Sequence, residues 1–401
     1  MAGNGSLSRD FNGAMVYLLY MGAFFSCISI AGSNGVIIIM TIFFLIDSYR
    51  QKSWRINPKD FSIFAIIYGW KGVTTLANGA FKSFVEIREL WDKFPYFLIG
   101  RYKFDDKVVN TTFHTMFGTN AFLIVYSLFQ KYAGFPIIYS DLYTDDFRLI
   151  GYFGHPLHYG GFISLVIMAC VGLALFYNKR YAWYLPFLVT GLALSGSRSY
   201  FIGVSVAVVI VCFYKSRKVF YAGIAGIPAF FLLYGILFPS FLERLIKVAD
   251  SDDPGLRFRY WKIAWDTFKE HPVFGVGYEQ FTYYLTPFYQ QGLISNTAHA
   301  HSLYLEELVE GGVLGLGLIV WMLFYFIRKY FRGFKAEEKR DSLLGALYIG
   351  LVGCYFCIAI GGIFEYNFGA AVVWIQLAFL MGLAEGYRKT TPGAAESEKA
   401  A

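Results

Sequence analysis

A histidine pair stands at His299 and His301, in Asn296-Thr297-Ala298-His299-Ala300-His301, just before the hydrophobic run 303–326. Imidazole titrates near neutrality and can exchange a proton with a sugar hydroxyl, so the pair reads first as a general base or a hydrogen-bonding group. His-x-His is also half of a metal site. No HExxH pattern or neighbouring cysteine completes one, although His155, His158 and His271 fall on the same side by topology, and neither a metal nor another cofactor is expected.

Arg198 lies in Ser195-Gly196-Ser197-Arg198-Ser199, at the end of a helix that continues through 204–214. Charge there is expensive unless it faces a cavity, a headgroup or a partner. The flanking serines and glycine favour a polar site over an arginine that only snorkels to the interface. Arg257 and Arg259 open a helix whose free N–H groups and positive dipole end also attract anions, so both suit phosphate; the alternative is adhesion to anionic headgroups. Glu310 lies about 13 Å along a helix from His301 at 1.5 Å per residue, too far to touch it, and reads as a packing or hydrogen-bonding group.

The elements that must position these residues are transmembrane helices. The 401 residues are 56% hydrophobic and 20% aromatic but only 16% charged, outside the balance of a soluble domain. Runs long enough to span a bilayer recur from residue 14 to residue 385. The run 14–30 is read as a retained first helix and not as a cleaved signal, because no small-residue cleavage site is evident. All five cysteines lie in apolar stretches, where packing is their ordinary role. The net charge of +7 is spread in short clusters between hydrophobic runs, which reports topology and excludes a nucleic-acid surface.

Those clusters orient the chain. Arg328, Lys329, Arg332, Lys335, Lys339 and Arg340 form the strongest, and Lys215, Arg217 and Lys218 another; both should be cytoplasmic. Alternation then gives an all-α polytopic integral membrane protein with about 12 transmembrane helices and both termini cytoplasmic. Residues 1–401 form a single transmembrane domain. Residues 239–301 form a long segment outside, and 388–401 a disordered cytoplasmic tail. The helices at 61–80 and 91–99 are expected to be tilted or broken, because Lys71, Lys82, Glu86, Arg88 and Glu89 lie within or between them. In the long segment, Asp253-Pro254 is a cap followed by proline at the first helical position. The helix after it carries Phe258, Trp261, Trp265 and Phe268 on one face and Arg259, Lys262, Asp266 and Lys269 on another, the pattern of an interfacial amphipathic helix.

Taken together, these segments resemble the O-antigen ligase and polymerase superfamily of bacterial envelope glycosyltransferases. His301-Ser302-Leu303-Tyr304-Leu305 through Glu310-Gly311-Gly312-Val313-Leu314-Gly315-Leu316 is similar to the family's histidine, leucine, glutamate and glycine pattern, with Ser302 in place of the more usual asparagine. Arg257 through Trp261, Ala264, Pro272 and Gly275-Val276-Gly277 match its arginine, tryptophan, proline and Gly-x-Gly run; Gly154-His155-Pro156 and Ser197-Arg198-Ser199 add two short matches. The resemblance covers roughly residues 151–316.

The resemblance implies transfer of a glycan from undecaprenyl pyrophosphate to lipid A-core oligosaccharide in lipopolysaccharide biosynthesis, on the periplasmic face of the inner membrane. The partners are then the undecaprenyl-pyrophosphate-linked glycan donor, the lipid A-core acceptor and membrane lipid, with no nucleic acid. His301, which opens its helix in the family's register, would be catalytic, with His299 the weaker candidate. Arg198, Arg257 and Arg259 would bind the pyrophosphate, with Lys71, Lys82 and Arg88 as lesser anion contacts. No metal is required, and in-line displacement would invert the anomeric centre. A polymerase joining two lipid-linked glycans is the nearest alternative, and a transporter of lipid-linked sugars the alternative of another class.

Overall fold

The computed structural model describes residues 3–54, 56–133, 142–144, 148–237, 254–337 and 339–391. Among them all regular structure is helical, apart from one isolated bridge between Tyr143 and Leu149. In chain order the α-helices are α1 (Gly3–Ile28), α2 (Ile30–Gln51), α3 (Pro58–Ala77), α4 (Phe94–Gly100), α5 (Asp106–Ala133), α6 (Pro156–Phe176) and α7 (Leu185–Ser195). They continue as α8 (Arg198–Lys215), α9 (Arg217–Leu237), α10 (Pro254–Glu270), α11 (Phe281–Gln290), α12 (Leu303–Ala336), α13 (Leu343–Gly361) and α14 (Ala371–Arg388). Short 3-10 helices, Phe81–Lys93 and Lys179–Tyr184, lead into α4 and α7.

Among the described residues six helices are long and apolar enough to cross a membrane unaided: Ile30–Gln51, Pro156–Phe176, Arg198–Lys215, Arg217–Ile236, Leu303–Ala336 and Leu343–Gly361. The chain is thus a multi-pass membrane protein, with fewer self-sufficient spans than the 12 expected. The remaining expected segments are helical but fall short in length or apolarity. The segment at 61–80 carries Lys71 within α3, and the one at 91–99 is split between a 3-10 helix and the seven-residue α4. The Asp253 cap lies outside the described residues, as does the tail beyond 391 and the part of the 239–301 segment before Pro254.

Helices α6 and α13 are buried almost throughout and form the centre, whereas α9 is exposed on nearly every side. Lipid tails supply no hydrophobic drive between helices, so close approach of small residues supplies the packing. Gly172 of α6 is the clearest case: a Cβ there would lie 2.6 Å from the Ala346 carbonyl oxygen of α13.

The amphipathic helix forms as expected in α10, with one stripe buried. Tyr260, Ile263, Ala264 and Thr267 face the protein, and Phe258 and Trp265 are exposed. With Val276, Phe281, Leu285, Ile294, Ala300 and Val309, the apolar members of that stripe form a second small core that seats the segment on the start of α12. The aromatic face was expected toward lipid or protein, and its exposed Phe258 and Trp265 rings leave it free for lipid.

Candidate active site

The chain before α12 is fastened at several points. Tyr260 Oη donates to the Asn296 carbonyl at 2.8 Å and accepts the Asn296 N–H at 3.0 Å. The Ala298 N–H reaches Asn296 Oδ1 at 3.0 Å, the Ala300 N–H reaches Glu306 Oε2 at 2.6 Å, and the His301 N–H reaches His299 Nδ1 at 3.1 Å. Ser302 then caps α12 by accepting the Leu305 N–H at 3.4 Å. The usual asparagine is an N-cap residue too, so the Ser302 departure keeps the local hydrogen bond.

His301 is held at φ +50, in the left-handed region that a histidine enters only at a cost. Its ring lies 4.8 Å from Tyr260 and 4.4 Å from His299, both edge to face, and His299 is 5.7 Å from the Tyr366 ring. His155, the N-cap of α6 ahead of Pro156, and His158 one turn later sit 5.2 Å apart. Crowding by protein atoms, then the His301, His158 and His155 rings, push the half-buried His299 down to about 3. His299 is therefore neutral near pH 7, a hydrogen-bonding ring. Although these histidines gather at one end of the bundle, among the described residues no three ligating groups converge as a metal site would require.

The arginines take three different situations. Arg257 Nη2 is 2.8 Å from Glu365 Oε1, with the carboxylate buried and the guanidinium about one-third exposed. Arg259 donates to the Leu293 carbonyl at 2.8 Å and is otherwise exposed. Arg198 is the first residue of α8, half-buried at the positive end of the helix, and has no partner among the described residues. Contacts bring α8 to the same end: two residues on, the Tyr200 ring lies where a Cβ on Gly361 would meet it at 2.8 Å. The Leu303 N–H closes the arrangement, shared between the carbonyls of Gly362 at 2.8 Å and Glu365 at 3.2 Å.

Glu365 was missed by sequence reasoning, as were Tyr366 and Tyr260. The signal for Glu365 was available: a lone acid in the short polar turn between the last two hydrophobic runs. Tyr260 was visible only as part of the Arg257–Trp261 motif.

The lesser candidates lie deeper or outside. Lys71 is 4% exposed, 2.8 Å from Glu307 and over the Tyr278 ring at 4.1 Å, so its charge is committed internally where an anion contact had been expected. Glu310 is buried and lines a small cavity of about 10 Å³ with Lys71, Thr74, Tyr278 and Glu307. Beside it α12 breaks at Gly312 (φ +67, ψ −167). The carbonyls of Val309, Glu310 and Gly311, freed by the break, accept from Val276 N–H at 2.9 Å, Gly277 N–H at 3.0 Å and Trp70 Nε1 at 2.8 Å. The Val313 N–H returns to the Pro272 carbonyl at 3.0 Å. The side chains of Lys82 and Arg88 lie outside the described residues.

An uncharacterized protein of Haemophilus influenzae is 31% identical in an alignment 181 residues long that covers 39% of this chain and 45% of that protein. The chain thus aligns with less than half the length of that relative. Residues 183–320 match the family described as O-antigen ligase, a stretch that includes Arg198, Arg257, Arg259, His299, His301 and Glu310 and leaves out Lys71 and Glu365. Over residues 183–320 the chain is similar to the O-antigen ligase superfamily.

Proposed function

We propose that the protein is an O-antigen ligase: a membrane glycosyltransferase that moves a glycan from undecaprenyl pyrophosphate to lipid A-core oligosaccharide at the periplasmic face of the inner membrane. The observation that carries this reading is that α10 brings Arg257 and Tyr260 to the site together, with Tyr260 packed on His301 and Arg257 beside the loop that holds His299. One helix thereby couples a phosphate-suited cation to the imidazole, which is the pairing glycosyl transfer from a lipid pyrophosphate needs.

In the reaction the acceptor hydroxyl oxygen attacks the anomeric carbon while the bond from that carbon to the pyrophosphate oxygen breaks. The hydroxyl proton passes to a ring nitrogen of His301, and undecaprenyl pyrophosphate leaves against Arg198, Arg257 and Arg259. Attack opposite the leaving group inverts the centre. Because pyrophosphate is a competent leaving group and the scheme sets guanidinium groups against it, no metal is needed.

The break in α12 next to Lys71, Glu307 and Glu310 is a feature that would also suit a transporter of lipid-linked sugars. Here the break is filled by the 272–277 backbone and its carbonyls are satisfied, which favours a packing joint over a translocation path. Purified protein in liposomes, given a defined lipid-linked donor with either lipid A-core or a second lipid-linked glycan, decides among the three. New covalent product on lipid A-core is expected. Product only on the second lipid-linked glycan identifies a polymerase, and movement across the bilayer without a new bond identifies a transporter.

A further inference from the structure

Of the three carboxylates at the start of α12, Glu307 is engaged by Lys71 and Glu310 faces the small cavity, but Glu306 turns back toward the histidine loop. It is 3% exposed, and the one hydrogen bond its carboxylate makes among the described residues is from the Ala300 N–H, at 2.6 Å. A carboxylate is costly to bury unless its oxygens are used, and an apolar side chain would fill this space without that cost. The bond to Ala300 is what the acid supplies here.

That bond falls at a sensitive place. The next residue, His301, makes the left-handed turn, and its N–H goes to His299 Nδ1, so the setting of both imidazoles follows from where the Ala300 peptide lies. Strained conformations persist only where the surroundings over-determine them. Ser302 caps the helix but acts downstream of the turn, on Leu305. Glu306 acts on the residue just before it.

Resting on the reading that His301 handles the acceptor hydroxyl, we infer that Glu306 is a positioning residue: by accepting the Ala300 N–H it holds His301 in the left-handed turn that sets its ring against Tyr260. The acceptor oxygen matters, and the negative charge does not. Glutamine keeps such an oxygen and alanine removes it.

The full-length protein carrying Glu306→Ala or Glu306→Gln is compared with the parent in three measurements: single-turnover transfer, donor affinity, and the His301 ring signal in histidine-labelled NMR, assigned by its loss in His301→Ala. Alanine should slow single turnover about tenfold or more with donor affinity within about twofold, and glutamine should return the rate to within about threefold of the parent. The ring signal should move in alanine and return in glutamine. Parent-like rate and signal in Glu306→Ala overturn the inference, and so does an equal loss in both variants, which would assign the effect to charge. If alanine does not fold, a lost rate and a moved signal in glutamine overturn it alone. A parent that transfers no glycan, while the signal still moves in alanine and returns in glutamine, leaves the positioning role standing and removes the transfer reading.

Discussion

At the scale of single residues, the ion pair between Arg257 and Glu365 complicates any simple deletion of the proposed pyrophosphate contact. Removing Arg257 leaves a buried carboxylate without its cation, and breaking a buried pair from one side costs about 3–5 kcal/mol, an upper bound here because the guanidinium is one-third exposed. Arg257→Ala is therefore expected to lower thermal stability as well as transfer. Adding Glu365→Gln should recover stability and leave transfer low, which separates folding from donor contact; recovered transfer in the double variant would mean that Arg257 serves only to neutralise Glu365. His299 yields a pH prediction. Its folded-state value is pushed down to about 3, below the ordinary histidine value of 6.5, so between those limits the unfolded chain takes up a proton that the folded one refuses. Its contribution to stability is complete above pH 6.5 and is lost as pH falls toward 3. Replacing His299 with glutamine should make the melting temperature fall less between pH 7 and pH 4.5 than it does in the parent, and an unchanged fall would show that the ring is not held neutral. His301, Arg198 and the Arg257–Arg259 pair were legible in the sequence because charge and imidazole stand out against an apolar background. Glu365 could be seen as a lone acid but its pairing could not, and neither could the role of Glu306, because their partners lie 108 and six residues away and no local spacing encodes those meetings.

At the scale of elements, two separately read glycine motifs prove to be the halves of one joint. Gly312 breaks α12, and the 272–277 turn lays its backbone into the gap, with Gly275 (φ +64) so close that a Cβ would meet the Glu310 carbonyl oxygen at 2.4 Å. At Gly312 a Cβ would lie 2.1 Å from the Val273 carbonyl oxygen, in a conformation that side chains also disfavour. This joint fixes the end of α10 to the middle of α12, and so holds Arg257 and Tyr260 at a set distance from His301. Gly312→Ala is expected to cost at least about 2 kcal/mol from strain alone and to depress transfer, although it removes no chemical group. Gly317→Ala, on the same helix with open space around it, should be neutral or slightly stabilising. Equal thermal stability of the two variants would mean that the joint yields easily and does not set the site. The sequence showed that these glycines were patterned; only the fold shows that the patterns touch.

At the scale of the whole molecule, contacts sort the helix ends into two groups without reference to any membrane. One group is joined by the buried pairs Arg101 with Asp47 and Lys329 with Asp60, by Lys215 with Asp341, and by Lys389 on the Gly100 carbonyl. The other holds the histidine loop, the start of α8, Arg257 and the 362–370 turn. The helix positions in the sequence were legible from apolar runs, the marginal α3 and α4 included, but what satisfies the polar residues of α3 was not: Asp60 is met by Lys329 and Tyr325, Lys71 by Glu307. Since each group is internally tied, one measurement of sidedness orients all of it. The first group carries the Arg328 to Arg340 cluster and, by the positive-inside rule, should face the cytoplasm, which would put the histidine loop in the periplasm. All five native cysteines are buried, so background labelling should be low. Single cysteines at exposed positions, Gln291→Cys in the segment before the histidine loop and Lys339→Cys beyond α12, can then be treated with a membrane-impermeant thiol reagent in intact spheroplasts. Labelling is expected at position 291 and not at 339 until the membrane is opened. The reverse pattern would turn the molecule over, and the proposed site would then face the cytoplasm, on the opposite side of the membrane from the proposed periplasmic transfer.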